Sequence, residues 1–155
     1  MVHRGIATLA GAMLFCFLTL AQLDTTFFFL HFYEALMYLA IILMLFYFED
    51  KWAYMLGMLA PAVWILQQIG TGVILGAFRA VGRYFSEWSR PSGIDMVTQA
   101  ITVLSVLMII FCAQRWRREF AGLKKFWPTF GGSLVVVIVY YGILWYWFGS
   151  LFPWK

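Results

Sequence analysis

His31, Phe32, Tyr33 and Glu34 follow one another in a chain of 155 residues that carries only 7 acidic residues and 2 histidines. An imidazole three residues before a carboxyl shares a helix face with it, and Tyr38 joins them one turn further on. A face of this kind could be a proton site, a ligand anchor or half of a metal site. The stretch around it, Thr26–Phe48, is otherwise apolar. An ionisable group inside an apolar helix is expensive unless it is paired or wetted, so Glu34 is the first candidate for function. Two ligands are too few for a closed metal site. His3 lies near the opposite face, so neither a metal nor a bis-histidine haem is expected, and no other cofactor is implied. The competing reading is structural. Glu34 then finds its partner in His31, in Gln68 on the next helix, or in Arg79 or Arg83 reaching down with their apolar stems along the helices.

Two further stripes add polar groups. Between Trp52 and Phe78, the residues Gly57, Pro61, Trp64, Gln68, Thr71 and Gly72 fall within about 100° of one helix face, with Gln67 at its edge. Gly72 and Gly76 form a GxxxG, a spacing that lets backbones approach closely. Between Ile94 and Ala113, the residues Asp95, Thr98, Gln99, Thr102, Ser105 and Cys112 lie within about 140°. That face is expected to look into the bundle or at a partner. Cys16 and Cys112 fall on different helices at different depths, and a disulfide needs Cα atoms within about 7 Å, so no bridge is expected. CxxC, GxSxG, P-loop, HExxH and the filter sequence TVGYG are all missing. No catalytic residue is assigned.

The elements that must position these residues follow from length. The chain is 64% hydrophobic and 12% charged, whereas soluble domains carry about 25% charged residues. A hydrocarbon core of about 30 Å takes about 20 apolar residues as helix. Five stretches qualify, at about Gly5–Leu23, Thr26–Phe48, Trp52–Phe78, Ile94–Ala113 and Phe130–Leu151. His3 and Arg4 before Ile6–Leu20 have the layout of a secretory leader, but Phe15 before Cys16 does not suit lipoprotein processing, and the segment is read as a retained first span. The fold class is therefore an all-α integral membrane protein, one polytopic domain of five helices over 1–155.

Asp24 and Asp50 are placed to cap the second and third helices, and Pro91 and Pro128 to precede the fourth and fifth. Pro61 removes the N–H that would bond the Gly57 carbonyl. Arg79–Pro91, with Arg83, Tyr84, Phe85 and Trp88, reads as a short interfacial helix. With the N-terminus inside, the inner segments hold seven cations, Arg4, Lys51, Arg115, Arg117, Arg118, Lys124 and Lys125; the outer ones hold four, Arg79, Arg83, Arg90 and Lys155. The positive-inside rule then puts the N-terminus in and the C-terminus out. If the source is bacterial, the plasma (inner) membrane is the expected location. Arg83, Arg115, Arg117, Arg118, Lys124 and Lys125 are expected at lipid headgroups. The basic residues form no tract with a stacking platform, which argues against nucleic acid.

This topology gathers His31, Glu34, Gln68, Thr71, Gln99 and Asp95 into the outer half, with Arg79 just above. His31, Glu34, Tyr38, Gln68, Thr71, Arg79 and Gln99 are thus the candidate ligand-binding residues. Three functions compete. The first is a non-catalytic accessory or scaffold subunit of a larger membrane complex, with lipid or pigment against its aromatic faces. The second is a small ligand-binding or transport protein with an outward pocket around Glu34. The third is an enzyme acting on lipid, with Glu34 or His31 as general base. A scaffold should turn its polar stripes toward partners, whereas a transporter should hold a cavity near Glu34.

Overall fold

The computed structural model describes residues 4–47, 50–87, 92–120 and 123–149. The regular elements among them are helices: α1 (Arg4–Leu23), a single 3-10 turn (Thr25–Phe27), α2 (Phe28–Tyr47), α3 (Asp50–Gly70), α4 (Val73–Glu87), α5 (Gly93–Glu119) and α6 (Leu123–Phe148). Five of them, all but α4, are long and apolar enough to cross a membrane. The most extensive packing is α1 against α2, followed by α5 against α3 and α1, while α6 lies mainly on α3. Around the outside, Phe15, Phe29, Leu66, Val135 and Ile138 are exposed, as an acyl-chain environment favours. The core holds large side chains instead: Phe17, Tyr38, Tyr54 and Trp64 are all but inaccessible.

The third apolar stretch does not run as one helix to Phe78. It stops at Gly70, and Gly72 has φ +73°. That left-handed conformation is open to glycine without a Cβ clash. The break is satisfied locally: Thr71 N–H donates to Gln67 O at 2.9 Å, and the Thr71 hydroxyl donates to Gln68 O at 3.0 Å. Twenty-seven residues of unbroken helix would measure about 40 Å, longer than a bilayer core needs. The segment expected to be a short interfacial helix from Arg79 is instead the second part of α4, which already begins at Val73 and is the most amphipathic of the described helices. Trp88 to Pro91 lie outside the described residues, as do Phe48 and Glu49.

The glycine pair Gly72/Gly76 is not a packing motif here, because a Cβ at Gly72 or Gly76 would meet nothing within 4 Å. Gly131 and Gly142 of α6, and Gly149 just after it, are equally open. Close approach occurs at Gly57, where a Cβ would sit 2.7 Å from Cys112 Sγ and 3.1 Å from Met108 Cε. It recurs at Gly132, 2.8 Å from the Trp52 ring. Gly57→Leu is therefore expected to destabilise the bundle by about 1–3 kcal/mol through overpacking. Thermal unfolding in detergent checks this, and Cys112→Ala in the same chain should recover part of the loss. An unchanged midpoint for the single variant would mean that α3 and α5 do not meet there.

Two other boundaries move. α5 continues past Ala113 to Glu119, and its last turns carry Arg115, Arg117 and Arg118. Cations at a helix C-terminus complement its dipole, and Arg115 also lies 3.7 Å from Glu119. α6 starts at Leu123, so Pro128 sits inside it rather than before it. The Phe126 ring packs on Phe130 and on Trp116 of α5, at 5.5 and 6.1 Å. This aromatic contact holds the turn helical, and a proline so near a helix start leaves only one carbonyl without its bond. Arg117 and Arg118 are exposed at this end; the side chains of Lys124 and Lys125 lie outside those described.

Candidate functional site

Only four residues separate α1 from α2, and Asp24 is the first of them. Its side chain accepts from Phe27 N–H at 3.3 Å, capping the 3-10 turn that leads into α2. His31 follows seven residues later, two helical turns along the same face. Its ring spans two carboxyls. Nδ1 lies 3.0 Å from Glu34 Oε2, and Nε2 lies 3.9 Å from Asp24 Oδ2. The three groups form a line from the partly exposed Asp24 to Glu34, which is 0% exposed. Glu34 thus finds its partner one turn away on its own helix.

Beside His31 is a cavity of about 410 Å³. It lies where the α1–α2 turn, the end of α3, and the starts of α4 and α5 meet. Asp24, His31, Gln68, Thr71 and Thr98 supply its polar wall; Leu20, Leu30 and Val73 are among its apolar lining. Phe27 and Trp64 bring aromatic rings. Trp64 is held edge-on by Phe17, which in turn stacks on Tyr38 at 5.3 Å.

The candidate residues divide around this cavity. His31, Gln68 and Thr71 line it, and Glu34 stands directly behind His31. Tyr38 lies one turn deeper, fully buried, with its hydroxyl in the neighbourhood of Ser105 of α5. Gln99 does not face the cavity: its Nε2 donates to Ala77 O at 2.9 Å and ties α5 to α4. Arg79 is exposed on α4 and is not part of the wall.

Several polar atoms in this region are buried without a hydrogen-bonding partner among the described residues: Glu34 Oε1, the Tyr38 hydroxyl, Trp64 Nε1 and both ends of the Gln67 amide. The phenols of Tyr38, Tyr140 and Tyr141 are within electrostatic reach of Glu34. Tyr33 and Tyr140 stack at 4.3 Å, and each donates its hydroxyl to the other's carbonyl, locking α6 to α2. Tyr141 donates to Ala60 O at 3.3 Å. Among the described residues no group of His, Cys, Asp and Glu is arranged to hold a metal ion. Cys16 and Cys112 are both free thiols.

Sequence reasoning treated Asp24 as a cap alone. The spacing of seven to His31 was the signal that it also belongs to the site. Phe27 and Leu30 carried no such signal, because an apolar residue at a span's end looks the same whether it faces lipid or a cavity. Compared with protein families, with curated proteins and with solved structures, the chain matches none, so its function rests on this geometry.

Proposed function

We propose that this protein is a small ligand-binding or transport protein of a membrane, and that its ligand occupies the cavity beside His31. The observation that carries the reading is the cavity itself, at about 410 Å³, within the range of about 300–1,000 Å³ usual for small-molecule sites. It combines apolar walls with a few convergent polar groups. The polar stripes support the same reading. Thr98 and Ser105 of α5 and Gln67 and Gln68 of α3 are buried inside the chain's own bundle, which leaves them unable to meet another subunit.

Native mass spectrometry from a mild detergent tests this reading. An apolar or amphipathic small molecule is expected on the wild-type protein and is expected to be lost from Thr98→Phe and Val73→Trp, which fill the cavity. The same species bound equally to all three would show that it sits elsewhere. A second reading, an accessory subunit of a larger complex, draws on the exposed aromatic rings of α6, where Tyr146 is 86% and Trp147 64% exposed. In that case larger subunits should co-purify, and the cavity variants should leave the assembly unchanged.

The orientation belongs to the same proposal. With the N-terminus inside, the cavity faces outward, α4 lies along the outer interface, and the Arg115–Arg118 turn meets inner headgroups. A cysteine introduced at Lys155, in a chain with Cys16 and Cys112 replaced by alanine, is expected to react with an impermeant thiol reagent from outside. One at Lys124 is expected to be spared. The reverse pattern inverts the topology, and labelling at both sites changes the number of spans.

A further inference from the structure

The cavity has an acidic balance that its apolar character conceals. Two carboxyl groups, Asp24 and Glu34, flank one imidazole, and among the described residues no lysine or arginine lines the space. Arg79, the nearest cation expected from the sequence, is exposed on α4 instead. Two aromatic rings, Phe27 and Trp64, complete the lining, and the face of an aromatic ring attracts a cation. Behind the imidazole, Glu34 Oε1 is fully buried and has no hydrogen-bonding partner among the described residues.

We propose that the ligand is a lipophilic organic cation, an amine or quaternary ammonium with apolar substituents, whose charged centre sits against Asp24 and His31, with the Glu34 carboxyl directly behind the imidazole. This rests on the cavity being the ligand site. The apolar part of the ligand lies against Leu20, Leu30 and Val73. The cationic centre is stabilised by the two carboxyls and by the rings of Phe27 and Trp64. Low polarity around the site strengthens each of these attractions relative to water. An anion of the same size meets two acids and, among the described residues, no lysine or arginine in the lining, so it binds more weakly than the cation. A neutral molecule of the same shape gains the apolar contacts alone.

The test compares phenylpropyl-trimethylammonium with its neutral carbon isostere, in which a tert-butyl group replaces the trimethylammonium. Binding is measured by equilibrium dialysis with the full chain in nanodiscs of zwitterionic lipid, subtracting protein-free nanodiscs. The cation is expected to bind at least tenfold tighter than the isostere. Asp24→Asn and Glu34→Gln should each weaken the cation several-fold while leaving the isostere unchanged. Asp24→Asn keeps an oxygen to cap Phe27, so it reports on charge even if Glu34→Gln fails to fold. Equal binding of the two probes, or cation binding insensitive to both variants, overturns the cation assignment. If the isostere is then still lost from Thr98→Phe, the cavity remains the ligand site. If neither probe binds the wild type, the cation proposal fails; if the native ligand also persists on the filled variants, the reading of the cavity fails with it.

Discussion

His31→Leu is expected to destabilise the protein by about 3–5 kcal/mol, the size of effect seen when one partner of a buried ionic pair is removed. The reason is an asymmetry in the cluster. Glu34 is 0% exposed, and its hydrogen bond is to His31, while Oε1 already lacks a partner. Without the imidazole, both oxygens are stranded in the bundle. Glu34→Leu should cost less, about 1–3 kcal/mol, because His31 retains Asp24 at 3.9 Å and is 9% exposed. The double variant His31→Leu/Glu34→Leu should regain most of the larger loss, since an apolar pair of similar volume can replace a buried polar one at little net cost. Thermal unfolding of the three variants gives the order. A double variant as unstable as the sum of the singles would show that the two residues do not act as a pair. Glu34→Gln keeps the shape and one acceptor, so it should unfold near the wild type; any loss of ligand in that variant is then a loss of function rather than of fold.

The parts of this architecture that were legible in the sequence are those set by run length and local spacing. A run of about 20 apolar residues has few alternatives to a span, and five helices of that kind are present among the described residues. His31 and Glu34 meet because three residues along a helix bring side chains together whatever surrounds them. The break at Gly72 was not legible, because Val73-Ile74-Leu75 continues the apolar run without a polar interruption. Only the backbone shows the φ of +73° that turns the chain there. That one turn also begins α4 six residues earlier than the charged segment does. Pro128 misled for a related reason. Proline usually marks a helix start, but the rings of Phe126, Phe130 and Trp116 stabilise an additional turn around it. The site was half legible. Its polar members, His31, Gln68 and Thr71, stand out against an apolar background. Gln99 stands out equally, yet it bonds a backbone carbonyl of α4. Polarity identifies a group that needs a partner but does not identify the partner.

Phe17→Ala is expected to destabilise the bundle more than Trp64→Ala, although tryptophan is the larger ring. Within a membrane, lipid tails are as apolar as the protein core, so helices are held together by packing rather than by exclusion of water. The cost of truncation is then mainly the void left behind. For phenylalanine, roughly 100 Å³ at about 24 cal/mol per Å³ gives about 2.4 kcal/mol. Phe17 is fully buried, stacked on Tyr38 and edge-on to Trp64, and it does not line the cavity. Its void is closed and has nothing to fill it. Trp64 does line the cavity, so its removal enlarges a space that an acyl chain or a ligand can enter. Its Nε1, which lacks a partner, also disappears with the ring. The predicted order of thermal midpoints is therefore wild type, then Trp64→Ala, then Phe17→Ala, and Trp64→Ala should admit a bulkier ligand than the native protein. The opposite order would mean that the cavity is closed off from its surroundings, and that the ring of Trp64 supports the bundle rather than the wall of a site.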